Sequence, residues 1–254
     1  MGWAARRRFI ILLIIGAVIA AFLAIVLIAT FYKTPTCTDG IQNQNEVGID
    51  CGGSCRYLCT TQEQPPTVLF TKVLVNSASR ADVVALVENK NTNAAAKNVP
   101  YRITLFGANH VFVQEIEGTL DLPPGAIVPV YVPGVSYGKQ KVTQAFLEVD
   151  ASAPQWFIMF SGSRVVPIVS NTTKSGSASE PRIEAILVNP SATIMTNVQT
   201  IALVYDAHKD VIAVSRTIVI SIPGQGQAVA TFTWNNAFSS VPALIEVVPI
   251  IPLP

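Results

Sequence analysis

The chain has 254 residues, half of them apolar and only 13% charged, with a mean hydropathy of +0.44, where a soluble domain carries charge on about a quarter of its residues. The formal net charge of +1 is unevenly placed: residues 1–33 hold Arg6, Arg7, Arg8 and Lys33 and no acid, which leaves 13 basic against 16 acidic residues in 34–254, a net of −3. A mildly acidic remainder offers no positive surface for phosphates and excludes nucleic acid as an expected partner, while the length accommodates two modest domains.

Phe9 to Tyr32 is a run of 24 residues without a charge. At about 1.5 Å per residue a helix of that length reaches roughly 36 Å, enough to cross a ~30 Å hydrocarbon core. Arg6, Arg7 and Arg8 precede the run and Lys33 alone follows it, so the positive flank predicts residues 1–8 in the cytoplasm and 33–254 outside it. Phe31 and Tyr32 fall where aromatic residues favour the interface. A cleaved signal peptide is the rival, but its apolar region is shorter and ends at a small-x-small site. Thr34-Pro35-Thr36 makes a poor exit of that kind, and it lacks the lead-in that would make Cys37 a lipoprotein acceptor. The helix also lacks the acidic residue near its start expected of a pilin. The expectation is an uncleaved anchor at 9–32.

All four cysteines follow within 23 residues: Cys37, Cys51, Cys55 and Cys59. An even count in an exported segment predicts two disulfides, with the three possible pairings left open. Zinc is the competing reading of Cys51-x3-Cys55-x3-Cys59, but it needs reduced thiolates and no histidine lies nearby. The segment CTDGIQNQNEVGIDCGGSCRYLC resembles the C-x-DG-I-x-N-x-x-E-x-G-x-DCGG-x-C knuckle of many exported bacterial proteins. It departs from that pattern in the three-residue gap between Cys55 and Cys59. The resemblance implies a small structural module rather than a catalytic centre. Asp39, Asn43, Asn45, Glu46 and Asp50 are hard oxygen donors among glycines, so a calcium ion is a second expectation for residues 33–59. The plainer reading is that these side chains cap turns through the backbone. Residues 60–66 end in Pro65-Pro66 and read as a stiff linker.

Beyond the linker, short β-branched and aromatic runs alternate with Asn, Gly and Pro clusters. Val68–Val75, Asp82–Glu88, Tyr101–Phe106, Val111–Ile116, Ile127–Val132 and Ala145–Val149 predict antiparallel strands of a sandwich. The pattern then recurs at an offset of 99 or 100 residues. Asn89 matches Asn189, Asn98-Val99 matches Asn197-Val198, Leu105-Phe106-Gly107-Ala108 matches Val204-Tyr205-Asp206-Ala207, and Pro124-Gly125 matches Pro223-Gly224. Four features at one offset predict a tandem repeat. The aromatic at 106 or 205 is expected to fill the gap between two sheets. These features resemble FxLyD-type domains, best in ALVYDAHKDVIAVSRT and SIPGQGQAVATFTW of the second copy; the first copy has Gly107 where the family has Asp. The resemblance implies small β-sandwiches on membrane-anchored bacterial or archaeal proteins, with no catalytic residues to carry over.

The fold class expected is therefore mainly β: one N-terminal transmembrane helix, a disulfide-rich knuckle, then two immunoglobulin-like antiparallel sandwiches at 67–150 and 151–254. Trp156-Phe157-Ile158-Met159-Phe160, between the repeats, predicts either the first strand of the second domain or a seam, with an exposed docking strip as the alternative. Asn171-Thr172-Thr173 fits the N-glycosylation pattern, and 247–254 reads as a last strand with an extended end.

For chemistry the sequence offers little. His110 and His208 fall on aligned loops and read as turn residues. Glu115 and Glu117 share a strand face, and Ser161-Gly162-Ser163 has nothing adjacent to activate a hydroxyl. No nucleophile motif, phosphate loop or histidine metal motif occurs. The expectation is a non-enzymatic surface protein that uses its sandwiches as a scaffold or protein-interaction module, without cofactor unless calcium binds the knuckle. Its expected partners are the bilayer and either a protein or a second copy of itself, with no small-molecule substrate. The alternative is an accessory subunit of a secretion, pilus or cell-envelope complex.

Overall fold

The computed structural model describes residues 2–31, 35–75, 80–136, 140–152 and 154–254. Tyr32, Lys33 and Thr34, on which the outer end of the anchor was read, lie outside the described residues. The chain divides into two compact units, Met1–Cys55 and Arg56–Pro254.

In the first unit, helix α1 runs from Trp3 to Phe31. It begins upstream of the apolar run, so Arg6, Arg7 and Arg8 lie on its first turns, and the Arg7 guanidinium sits 4.9 Å from the centroid of the Trp3 ring. The stretch Arg6–Thr30 is long and apolar enough to cross a membrane, and none of it is buried against protein. Apolar residues occupy every face rather than one stripe, which is the pattern of a helix solvated by something other than water.

Thirteen strands lie among the described residues of the second unit. β1 (Thr67–Val75), β2 (Arg80–Glu88), β3 (Ala94–Phe106), β4 (Phe112–Leu122), β5 (Ile127–Ser136), β6 (Gln144–Val149) and the two-residue β7 (Phe157–Ile158) come first; β8 (Ile168–Gly176), β9 (Pro181–Val188), β10 (Met195–Tyr205), β11 (Val211–Ile222), β12 (Gln227–Thr233) and β13 (Leu244–Ile250) follow. Every pairing among them is antiparallel. The sheets run β1-β2-β5, β4-β3-β6 with β7 added on β3, β12-β9-β8 and β11-β10-β13. Apart from β7, the second pair of sheets repeats the first strand for strand.

The core of the first sandwich takes Val83, Ala85 and Val87 from β2 against Ile103 and Leu105 of β3. That of the second takes Ile183, Ala185 and Leu187 from β9 against Ala202 and Val204 of β10. A third cluster joins the two: Val84 and Leu86 of β2 meet Ile201, Leu203 and Tyr205 of β10. In β2 and β10, then, successive side chains enter different cores, because alternate residues of a strand point to opposite faces. The four sheets stack as layers, with β4-β3-β6 and β12-β9-β8 outermost.

The outermost faces differ from the buried ones at matched positions. Where the seam has Ile201 and Leu203, the outer face of β3 has Arg102 and Thr104; where it has Val84, the outer face of β9 has Glu184. At these positions the copies left in solvent are polar, although Ile186 stands where the seam has Leu86 and Phe106 where it has Tyr205. A stack of repeats ends on such polar faces.

Two further contacts tie the sandwiches together. Trp156 is buried in the first core, and Phe157 and Ile158 pair with Ala95 and Ala94. The 156–160 run is therefore a seam on the first sandwich rather than the opening strand of the second. The C-terminal tail returns to it: Leu253 packs on Ala95, Phe157 and Met159, and its N–H donates to Asp121 Oδ2 at 2.8 Å. The 60–66 segment is no free spacer either. Gln64 N–H donates to Asn91 Oδ1 at 2.9 Å, and Asn91 Nδ2 donates to Gln64 O at 2.8 Å.

Candidate functional site

The knuckle is organised by its carboxylates. Asp50 accepts the backbone N–H of Asp39 (Oδ1, 2.9 Å) and of Gly40 (Oδ2, 2.9 Å). Asp39 accepts the N–H of Ile41 (Oδ1, 2.9 Å) and the side-chain amide of Asn43 (Oδ2, 3.0 Å). Glu46, only 7% exposed, accepts the N–H of Asn43 at 3.1 Å and of Asp50 at 3.3 Å through Oε2. These groups cap tight turns in which Gln44, Asn45 and Asp50 themselves hold left-handed backbone angles, as amide and acidic side chains do most readily. At Gly53 (φ +59°) a Cβ would lie 1.8 Å from Asn45 O, so only glycine fits there.

Cys37 and Cys55 form a disulfide with Cα atoms 5.6 Å apart. Cys51 and Cys59 are likewise disulfide-bonded, so no cysteine is free. The sulfurs of Cys37 and Cys55 lie within 4.8 Å of a Glu46 oxygen, a grouping with the spacing of a metal site. Sulfur in a disulfide is not the thiolate that zinc requires.

Of the five oxygen donors read as a calcium set, Asp39, Asn43, Glu46 and Asp50 come together through these hydrogen bonds. Asn45 does not join them: it is an exposed turn residue. An ion here would compete with backbone amides for the same carboxylate lone pairs. Asn43 Oδ1 is buried and has no hydrogen-bond partner among the described residues.

In the second unit several titratable groups are engaged with one another. Arg102 pairs with Glu115 (3.2 Å) and Glu117 (3.6 Å), which joins the two acids of one strand face to a cation. His208 N–H donates to Asp206 Oδ1 at 2.8 Å in an exposed loop, and His110 occupies a left-handed turn position. The N–H of Asp210 above all, then that of His208, holds the Asp206 carboxyl below its usual range.

Two tyrosines at the seam bond to acids. Tyr131 OH donates to the buried Asp82 (Oδ2, 2.8 Å), and Tyr205 OH donates to Glu246 (Oε2, 3.0 Å). Burial first, then the adjacent carboxylate, pushes each phenol well above its ordinary range. Tyr205 thus fills the gap between the two sandwiches. Its counterpart Phe106 lies instead on an outer sheet, edge-on to Phe112 (6.5 Å) and Phe146 (5.9 Å), both of them more than half exposed. Grooves also mark the surface of the described residues. One lies over Tyr101, Arg102, Glu117 and Glu148, and another at the junction of the sandwiches beside Lys72, Asp82, Tyr131 and Trp234.

The Phe112–Phe146 patch and the Tyr–acid pairs escape a one-dimensional reading, because their partners lie on different strands. The exposed Phe run in LFGANHVFV was the available signal.

The fold and these sites define an N-terminal apolar helix, a disulfide-bonded knuckle and a tandem β-sandwich. The sequence matches no protein-family model and no curated protein. Among solved structures it is similar to the crystal structure of red sea bream transglutaminase, with a TM-score of 0.27 and 12% identity over 74% of this chain. The chain covers 29% of that protein. A likeness this slight carries no argument about activity.

Proposed function

We propose that this is a single-pass membrane protein whose tandem sandwiches form a non-enzymatic extracytoplasmic scaffold or interaction module. The helix carries the reading: Arg6–Thr30 spans 25 residues, the most apolar stretch within it has a mean hydropathy of 3.3, and no protein packs on that stretch. In water such a surface would aggregate, whereas in lipid it is satisfied. Orientation rests on the three arginines at its N-terminal end, and the disulfides suit an oxidising exterior. The immunoglobulin-like and FxLyD-type character of the sandwiches belongs to the same proposal, supported by the Asn, Tyr-Asp and Pro-Gly positions of the second copy.

Carbonate extraction followed by protease protection tests it. The chain is expected to stay with the membrane, and external protease is expected to digest 34–254 in spheroplasts. Release by carbonate, or full protection of the sandwiches, overturns the proposal.

The alternative, an accessory subunit of an envelope complex, is favoured by the exposed Phe112 and Phe146. Crosslinking from these positions in native membranes is expected to capture a defined partner under that reading and only copies of this chain under self-association.

A further inference from the structure

We infer that Glu46 locks the Cys37–Cys55 bridge against thiol exchange, so that the first unit carries a structural disulfide rather than a redox-active one. The lock lies wholly within that unit and does not depend on how the helix is oriented. Cys55 and Glu46 are buried, at 1% and 7% exposed, whereas Cys37 is half-buried. Glu46 Oε2 accepts the N–H groups of Asn43 and Asp50, which leaves Oε1 facing Cys55 Sγ at 3.1 Å. A disulfide sulfur has no hydrogen to donate, so this close approach is not a hydrogen bond. No Lys, Arg or His among the described residues forms an ion pair with the carboxylate.

Exchange brings in one thiolate and expels another. An external thiol reaches Cys37 Sγ, because Cys55 is buried. The thiolate of a dithiol attacks Cys37 Sγ and bonds to it, the Cys37–Cys55 bond breaks, and its electron pair leaves on Cys55 Sγ. The second thiol of the dithiol then displaces Cys37, so the dithiol is oxidised and the bridge reduced.

Glu46 opposes the first of these steps. Negative charge gathers on Cys55 Sγ beside a carboxylate, in a site closed to water. Like charge and burial both raise the pKa of a thiol, and a leaving thiol of higher pKa departs more slowly. The same carboxylate repels the incoming anion. The other charges of residues 35–55 are Asp39 and Asp50, which add to that repulsion.

The test uses the full chain in nanodiscs, reduced with dithiothreitol at fixed pH. Samples are quenched with acid and alkylated, and mass spectrometry resolves which sulfurs have been freed. Glu46→Gln keeps the shape and one acceptor oxygen for the two N–H groups while removing the charge. It is expected to speed the opening of Cys37–Cys55 about tenfold. The initial rate at Cys51 and Cys59, whose burial is similar, is expected to stay within about twofold. Hydrogen exchange over residues 35–55 before reductant is added checks that the variant is folded.

A second measurement needs no variant. The cationic thiol cysteamine and the anionic thiol mercaptoethanesulfonate are compared on the unaltered chain. Cysteamine is expected to be favoured several-fold more at Cys37–Cys55 than at Cys51 and Cys59, and Glu46→Gln is expected to remove that excess. A carboxylate that served packing alone would not produce it. A folded Glu46→Gln chain that opens Cys37–Cys55 less than about twofold faster overturns the inference. If that variant loses protection over residues 35–55, the thiol comparison decides, and equal preference at the two bridges overturns the inference.

Discussion

Asn89 and Asn189, one hundred residues apart in sequence and both fully buried, make the same three hydrogen bonds in the two sandwiches. The Asn89 amide donates to the carbonyls of Ala94, Leu122 and Pro123; that of Asn189 donates to Thr193, Ile222 and Pro223. Each Oδ1 accepts a backbone N–H two residues on, from Asn91 or Ser191. One side chain thereby closes the turn after its own strand and pins the distant Pro-containing turn beside it.

Alanine at either position takes the donor from two buried carbonyls and the acceptor from one N–H, whereas Pro123 O still accepts from Ala126 N–H (3.3 Å) and Pro223 O from Gly226 N–H (3.0 Å). Each unsatisfied buried group costs about 1 kcal/mol or more, so a loss of about 3 kcal/mol is expected per sandwich. Denaturant unfolding of Asn89→Ala and Asn189→Ala should show similar losses. Asn→Asp should fare no better, since a carboxylate cannot donate to a carbonyl. A loss under about 1 kcal/mol at either site would remove the claim that this network holds the turns.

Much of this was legible in the sequence. The repeat was read from Asn, aromatic and Pro-Gly positions, and the strands fall where β-branched runs predicted them. One detail shifts by a residue: Asn89 reaches Pro123 O as Asn189 reaches Pro223 O. Pro123-Pro124-Gly125 therefore corresponds to Pro223-Gly224-Gln225, with Gly125 and Gln225 sharing the left-handed conformation. The four-layer stack was also encoded, though less openly. ADVVALVE and TIALVY are apolar at consecutive positions, whereas PRIEAILV alternates, and a strand without alternation is one buried on both faces. What the chain order hid was the identity of the covering layer, because Val84 and Leu203 meet across more than a hundred residues. The pinned 60–66 segment was missed for a similar reason: Asn91, which holds it, gives no local sign of doing so.

The seam should be weakened by alkali. Tyr131 and Tyr205 both have phenols raised above an ordinary value near 10, by burial first and then by Asp82 and Glu246. A group raised in this way contributes stability that is complete below its unfolded pKa and is lost as pH rises toward the folded one. Unfolding midpoints should therefore hold steady to about pH 10 and fall beyond it. Tyr205→Phe with Tyr131→Phe should flatten that fall, at the expense of two hydrogen bonds at neutral pH. An alkaline limb that is unchanged in the double variant would assign the loss to other groups.

Thr200, fully buried in β10, has a hydroxyl with no hydrogen-bond partner among the described residues. Valine has nearly the same shape and no polar atom. Removing an unsatisfied hydroxyl from an apolar site is worth about 1–2 kcal/mol. Thr200→Val is expected to raise the unfolding midpoint, where most core substitutions lower it. A lower midpoint would show that the hydroxyl is satisfied, for instance by an internal water.

The last prediction separates the two readings of the knuckle. The Cys37–Cys55 bridge closes a loop with a sequence separation of 18 residues. In the chain-entropy treatment a loop of this length is worth about 3 kcal/mol, comparable to the whole stability that so small a module can muster. Reduction should therefore melt residues 35–55 while the sandwiches, with their own cores, persist; hydrogen exchange resolved by segment reads this directly. Calcium should make little difference, because the Asp39, Glu46 and Asp50 oxygens already accept backbone N–H groups that an ion would have to displace. Adding millimolar calcium, or chelator, is expected to leave exchange in the knuckle unchanged as long as the disulfides are intact. Protection that rises with calcium and saturates would instead establish an ion site, with the buried Asn43 Oδ1 as the first ligand to examine by Asn43→Ala.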